Sequence, residues 1–326
     1  MVIMDNNTLK PISGEKYRHQ NGIKAIKDGI KISVEYSDEK SLKKPAWFKV
    51  PIPSGENFIS LKNRVQKLNL SSVCEESKCP NIAECWNHKT ATLMVMGNVC
   101  TRACKFCAVD TGNPKRKLDI REPHKVATSI SLMNIKYAVL TSVNRDDLTD
   151  GGADHYAKTV KAIKEMTPEV TVEALAPDFL GQTNSIELML DSGLEVFAQN
   201  LETVDRLTSE VRDSRAGYRQ TLEVLSYSKQ YKPSVITKTS LMLGLGETHD
   251  EVYKTMKDIR SQDVDILTLG QYMRPTINHL PVKKWYTPEE FYFLKEKAIS
   301  LGFLDVASGP LVRSSYRADR IASLIK

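Results

Sequence analysis

All six cysteines of this 326-residue chain fall between Cys74 and Cys107, and no other residue is a cysteine. They form two triads, Cys74-x4-Cys79-x5-Cys85 and Cys100-x3-Cys104-x2-Cys107. A disulfide framework staples distant parts of a small secreted chain, whereas these thiols crowd one short stretch of a large one. Thiolate is a soft ligand suited to iron–sulfur clusters or to zinc. Structural zinc wants a fourth Cys or His at short spacing and favours C-x2-C pairs. The nearest histidine after the second triad is His124, at a predicted helix start. Each triad therefore reads as three corners of an iron–sulfur cluster, with one non-cysteine ligand apiece. A single six-thiolate zinc cluster is the weaker alternative, because each triad is compact.

The charge pattern narrows the partners. Residues 1–70 hold 13 Lys/Arg against 7 Asp/Glu, which is the whole excess of the +6 chain; the remainder balances. An evenly charged body argues against an extended nucleic-acid surface. The basic stretch reads as a solvated arm that could meet an acidic partner. Met1-Val-Ile-Met-Asp5 begins no signal peptide, and no apolar run approaches the roughly 18 residues that span a bilayer. Together with clustered thiols this places the expected setting in the cytoplasm, with neither membrane nor nucleic acid as partner.

Residues 1–45 lack sustained periodicity and read as a basic, loosely ordered arm. Residues 46–88 form an N-terminal segment with the first triad; Lys44–Gly55 is extended and Pro-punctuated, and Phe58, Leu61, Val65 and Leu68 have helical spacing. From residue 89 to 305 strands and helices alternate. The expected strands are Thr92–Met96, Tyr137–Val143, Val170–Leu175, Val196–Leu201, Val235–Leu245 and Ile266–Tyr272, short, apolar and β-branched as strands buried on both faces should be. Helix faces are marked by Tyr156/Val160/Ile163, Val252/Met256/Ile259 and Phe291/Leu294/Ala298/Leu301. Thr248-His-Asp-Glu251 and Thr287-Pro-Glu-Glu290 each put a hydroxyl at the N-cap and Glu at N3. Residues 306–326 close the chain, with a last helix expected over Ala318/Ile321/Ala322/Ile325.

Six β-α units in succession mean a parallel sheet. No strand is followed by a G-x-G-x-x-G turn, and polar clusters recur at strand C-terminal ends, as a barrel with its site on that face requires. The expected fold is α/β, an incomplete (β/α)6 TIM-like barrel with an N-terminal segment for one cluster and a C-terminal closing segment. Ser142, Asn144 and Asp146 follow the second strand, Asn200 and Glu202 the fourth, and Gly244, Gly246 and Glu247 the fifth. By position these are cofactor-binding candidates, while Arg274 and His279 lie past the sixth strand where a substrate could arrive. No Gly-Lys-Ser/Thr makes a phosphate loop, and the six histidines show no i, i+4 pair.

With aromatic Phe106 before its last thiol, Cys100-x3-Cys104-x2-Cys107 resembles the signature of the radical S-adenosylmethionine (SAM) enzymes. Joined to Cys74-x4-Cys79-x5-Cys85 and Arg313-Ser-Ser-Tyr316, it resembles the lipoyl synthase family within them. Thr141–Asp147, Asn200–Thr203, Leu243–Glu247, Gly270–Pro275 and Ala307–Tyr316 extend the likeness. Asn144 stands where the family commonly has Asp, and Gln199 where it commonly has His or another polar residue. The resemblance implies two 4Fe-4S clusters and SAM. Cys100, Cys104 and Cys107 would hold the cluster that reduces SAM to a 5′-deoxyadenosyl radical. Cys74, Cys79, Cys85 and the second serine of the motif, Ser315, would hold an auxiliary cluster sacrificed as the sulfur source. It also implies insertion of two sulfurs at carbons 6 and 8 of an octanoyl group on a lysine of a lipoyl carrier domain. Such carriers are E2 subunits of 2-oxoacid dehydrogenases and the glycine cleavage H protein. A low-potential electron donor and an iron–sulfur carrier complete the implied partners. A sulfur-inserting relative such as biotin synthase or a methylthiotransferase is the nearer rival; these lack the Arg-Ser-Ser-Tyr tail. A zinc-stabilised nucleic-acid-binding protein is the rival from another class.

Overall fold

A computed structural model describes residues 11–18, 22–31, 42–49, 54–67, 71, 72, 79, 81–87, 91–133, 135–316 and 318. Its elements run β1 (Lys16–Arg18), β2 (Lys24–Ile26), α1 (Glu56–Lys67), β3 (Ser71–Ser72), α2 (Ile82–Asn87), β4 (Ala91–Val95), β5 (Val99–Cys100), β6 (Asp110–Gly112), α3 (Glu122–Leu132) and β7 (Tyr137–Ser142). Then follow α4 (Ala153–Met166), β8 (Thr171–Leu175), α5 (Thr183–Leu190), β9 (Val196–Ala198), α6 (Thr208–Val211), α7 (Tyr218–Tyr231), β10 (Ile236–Leu243), α8 (His249–Arg260), β11 (Ile266–Gln271), α9 (Pro288–Ser300) and β12 (Asp305–Gly309).

Strands β4, β7, β8, β9, β10, β11 and β12 lie side by side in chain order and pair in parallel, with β3 antiparallel on β4. A doubly wound sheet reverses its strand order at a switch point; this one never does. The sheet is strongly curved. Tyr137 and Val139 of β7 share a buried cluster with Val196 of β9, Ile236 of β10 and Ile266 of β11. Flat, the sheet would hold β7 and β11 about 19 Å apart, four strand spacings. Lys238 of β10 reaches over β9 to Glu173 of β8, Nζ to Oε1 2.8 Å, and Tyr137 Oη donates to Glu173 Oε2 at 2.7 Å. These contacts fill the concave face at its lower end.

All six expected strands are present, β7, β10 and β11 almost wholly buried. The sheet gains a seventh parallel strand: β12, from Asp305 to Gly309, runs from the expected end of the barrel into what reads in the sequence as the closing segment. Among its five residues only Val306 is buried, and among the described residues β11 is its one strand partner, so its apolar pattern is faint. Both capping boxes form, Thr248 with Glu251 on α8 and Thr287 with Glu290 on α9. The Phe291, Leu294 and Ala298 face of α9 is buried.

The N-terminal arm differs most from expectation. Lys16–Arg18 and Lys24–Ile26 pair as an antiparallel hairpin whose β2 pairs with β6, the strand that leaves the second cysteine triad. Strands of three residues carry too little periodicity to show in a sequence. The hairpin is held by Asp110, which accepts from Tyr17 Oη, from Lys27 Nζ at 3.2 Å and from the Asp28 N–H at 2.8 Å. Gly29, at φ +73°, lies so close that a Cβ there would stand 2.4 Å from the Val109 carbonyl oxygen and 2.9 Å from that of Cys107. Cys74 and the helix expected after Ala318 lie outside the described residues.

Candidate active site

The strand ends, the cysteine loop and the loop after β11 enclose one cavity of about 500 Å³, within the usual range for a small-molecule site. Met94, Thr141, Ser142, Leu175, Leu241, Met242, Gly270 and Gln271 reach it from five strands. Cys100, Cys104 and Cys107 line it together.

Long-range bonds fix the cysteine loop. Arg102, between the first two thiols, is buried and donates from Nη1 and Nη2 to Asp178 at 2.6 and 2.8 Å, and from Nη2 to Asp146 at 2.8 Å. Burial opposes the Arg102 charge, but the bonds to Asp178 and Asp146 outweigh it and raise its pKa. Arg215 joins Asp146 at 3.1 Å to Asp213 at 2.8 Å, and Asp213 accepts from the Ala103 N–H at 2.9 Å. Burial would raise the Asp213 carboxyl, yet the Arg215 guanidinium and the backbone N–H groups of Ala103 and Arg215 hold it well below the usual carboxylate range. The sulfurs themselves accept backbone bonds: Cys100 Sγ from Arg102 N at 3.4 Å and Cys104 Sγ from Asp213 N at 3.3 Å. Burial pushes the three thiols up, Cys104 to about 11. A coordinating metal reverses that preference, because it binds the thiolate outright.

The residues fit an iron–sulfur cluster: Cys100, Cys104 and Cys107 line one cavity, and each offers a soft thiolate to a separate iron. They also fit a polar cofactor. Ser142 Oγ, Gln199 Oε1 and Asn200 Oδ1 border the cavity as buried atoms without a hydrogen-bond partner among the described residues. Buried polar atoms are normally satisfied, so three such atoms on one wall mark where a ligand's polar groups go. Glu202 lines the same wall at φ +71°, a conformation rare outside glycine, pinned by its N–H to the Ser240 carbonyl at 2.9 Å. Burial pushes its carboxyl up, against the Arg212 charge and a bond from Asn200.

Of the eight cofactor candidates, Ser142, Asn144, Asn200 and Glu202 line the cavity. The other four are placed differently. Asp146 is engaged by Arg102, Arg215 and the Thr101 hydroxyl, the last at 2.6 Å. Glu247 turns back on its own loop and accepts from Gly244 N at 2.6 Å and Leu245 N at 3.0 Å. Gly244 and Gly246 serve that loop, both at positive φ. Arg274 borders the cavity, but His279 is fully buried, between the Cys107 carbonyl at 3.1 Å and Thr276 Oγ1 at 2.8 Å. Sequence reasoning missed Arg102, Asp178, Asp213 and Arg215. Only Arg102, inside the cysteine motif, carried a signal.

The first cysteine group approaches the same cavity. Cys79 lines it beside Arg313 and Ser314, and Cys85 is buried on α2. The C-terminal turn is tied to that helix: Asn81 Nδ2 donates to the Leu311 carbonyl, and Tyr316 Oη to Glu84 at 3.1 Å. Ser315 is half-buried in this turn.

A partial parallel barrel with three thiols at its C-terminal mouth defines a radical SAM enzyme. The sequence model of the radical SAM superfamily matches residues 94–259. The fold is shared with methylornithine synthase (TM-score 0.50, 12% identity, 83% of this chain and 76% of that one). It is shared too with the FeFe-hydrogenase maturase HydG of Carboxydothermus hydrogenoformans (TM-score 0.52, 12% identity, 82% and 78%). The model for the N-terminal domain of lipoyl synthase matches residues 17–79. Lipoyl synthase of Legionella pneumophila strain Corby is 59% identical over 95% of this chain and 93% of its own length. That of Deinococcus radiodurans is 59% identical over 91% and 89%. The chain belongs to the lipoyl synthase family, and with it come SAM and two 4Fe-4S clusters as cofactors. Among the described residues no helix is long and apolar enough to cross a membrane.

Proposed function

We propose that the protein inserts two sulfur atoms at carbons 6 and 8 of an octanoyl group amide-linked to a lysine of a lipoyl carrier domain. The observation that carries this is that members of both cysteine groups border one cavity. An alkyl chain entering it can meet both without leaving. Cys100, Cys104 and Cys107 would hold the first cluster, and Cys74, Cys79, Cys85 and Ser315 the auxiliary one. When bound, these groups supply one-electron reductive cleavage of SAM and the sulfur that is transferred.

The chain's own residues do the rest. Arg102, Asp146, Asp178, Asp213 and Arg215 lock the loop so that its thiols face the cavity. Ser142, Asn144, Asn200 and Glu202 bind the polar groups of SAM, while Glu247 fixes the turn that follows β10. Met94, Leu175, Leu241 and Met242 offer an apolar wall to the alkyl chain and exclude water from it. A serine oxygen is a harder ligand than thiolate and holds iron less firmly, which suits a cluster that must be dismantled. Octanoylated E2 subunits and the glycine cleavage H protein are the carriers, in the cytoplasm. Reductive cleavage requires a low-potential electron donor, and loss of the auxiliary cluster requires an iron–sulfur carrier to rebuild it.

The test is anaerobic incubation of cluster-loaded protein with SAM, reductant and an octanoyl-lysyl peptide, read by mass spectrometry. Two added sulfurs alongside 5′-deoxyadenosine are expected. Cys104→Ala removes both products, and Ser315→Ala keeps 5′-deoxyadenosine but suppresses sulfur insertion. Surviving SAM cleavage in Cys104→Ala, or equal loss of both activities in Ser315→Ala, would sink the respective assignment.

A further inference from the structure

Leu42-Lys-Lys-Pro-Ala-Trp-Phe-Lys49 contains three lysines and no acid. It is fastened to the barrel at one end of the cavity. Trp285 Nε1 donates to the Leu42 carbonyl at 3.2 Å, and the Phe48 and Trp285 rings lie 5.2 Å apart. Lys44 sits 5.9 Å over the Phe48 ring and itself lines the cavity. Leu42, Lys43, Lys44, Trp47 and Lys49 remain exposed.

Ser13, just ahead of the N-terminal hairpin, is tied to the same loop after β11 that carries Trp285. Ser13 Oγ donates to Thr276 Oγ1 at 3.0 Å and Asn278 Nδ2 donates to the Ser13 carbonyl at 3.2 Å. Thr276 and Asn278 continue the loop whose Met273, Arg274 and Pro275 line the cavity. Ile12 and Ile277, each next to one of these bonded residues, stand 64% and 60% exposed. Among the described residues of this part of the chain, Lys16, Arg18, Lys24 and Lys31 are exposed, as is Glu15. Exposed apolar side chains scattered singly need no explanation, but several at one opening in a cationic field mark an interaction surface.

We infer that this collar, Leu42–Lys49 with Ile12 and Ile277, is the docking surface for an acidic face of the folded domain that presents the octanoyl-lysine. The inference rests on the reading under Proposed function. A lysine side chain ties its acyl group to the domain surface, so a chain that reaches the cavity brings that surface down on the mouth. Cations around the mouth select a negatively charged face and speed encounter, and the apolar side chains supply the contact that excludes water.

Lys43→Glu with Lys49→Glu tests this, since neither lysine borders the cavity. Two substrates are compared on the cluster-loaded full chain: the octanoylated carrier domain and a short octanoyl-lysyl peptide that needs only the cavity. The KM for the domain should rise about tenfold at low salt, and the difference should shrink as salt screens the wild-type attraction. Turnover of the peptide should stay within about twofold, because no charge meets it at the collar. Binding of the unacylated domain, measured by fluorescence anisotropy, should weaken in parallel, and Ile277→Ser should weaken it with less salt dependence. An unchanged KM for the domain overturns the inference. So does equal damage to peptide turnover, which would make the segment part of the cavity's scaffold. Loss of binding to phosphatidylserine vesicles with domain turnover intact would assign the collar to a membrane surface instead. If wild-type protein carrying both clusters leaves the peptide unthiolated, the reaction itself is misread and the inference falls with it.

Discussion

Ser142 sits at the end of β7 with its hydroxyl buried and no partner among the described residues. Leaving a buried polar group unpaired costs about 1–3 kcal/mol, so such an atom persists where something else rewards it. Removing it separates binding from folding. In Ser142→Ala, stability without SAM should be unchanged or slightly higher, because an unsatisfied hydroxyl has gone. Affinity for SAM should fall about tenfold, the worth of one hydrogen bond to a charged ligand. Equilibrium binding and thermal unfolding without SAM check the two halves; undiminished affinity would remove Ser142 from the ligand set. Position at a strand end was enough to single out this serine in the sequence. It was not enough for Asp146, four residues on, whose carboxylate belongs to Arg102 and Arg215. Nothing local distinguishes the two, since the partners that decide lie 44 and 69 residues away.

The elements around the cysteine loop show the same division. Capping boxes on α8 and α9 were legible because a cap is written within four residues. The hairpin against β6 was not, because its pairing is between short strands far apart in the chain. That hairpin buttresses the loop through the close approach of Gly29 to the Cys107 and Val109 carbonyls. In Gly29→Ala the new Cβ meets backbone oxygens that cannot rotate away, at a φ that favours glycine. The loop must shift, and iron bound by Cys100, Cys104 and Cys107 should drop while the second site keeps its own. Iron per chain and far-ultraviolet circular dichroism measure this together. Full iron loading with an unchanged spectrum would mean that the hairpin is only draped over the loop.

At the scale of the whole molecule, the Lys238–Glu173–Tyr137 group links β10, β8 and β7 inside the lower barrel. Both charges are almost wholly buried, side chains 2% and 1% exposed. Breaking such a pair strands one charge and costs about 3–5 kcal/mol, whereas replacing both with apolar groups of similar volume can be neutral. Glu173→Leu should therefore be strongly destabilising, and Glu173→Leu with Lys238→Met should recover most of the loss. Denaturant unfolding of the four proteins of the cycle reads the coupling. Additive losses would show that the two charges do not sense each other across the barrel.

Two cysteine triads, a run of buried parallel strands and the polar residues at their ends were all readable without the fold. These are written in spacing and in local periodicity, which covalent geometry turns directly into faces and ligand sets. That the strand ends, Cys79 and the second triad border one cavity, that Arg102 knits the loop to Asp146 and Asp178, and that the N-terminal hairpin clamps it are properties of the folded chain alone. Those features depend on contacts between residues tens to hundreds of positions apart. Such contacts form when the sheet curls and brings distant strand ends together, and no local pattern encodes which of them will meet.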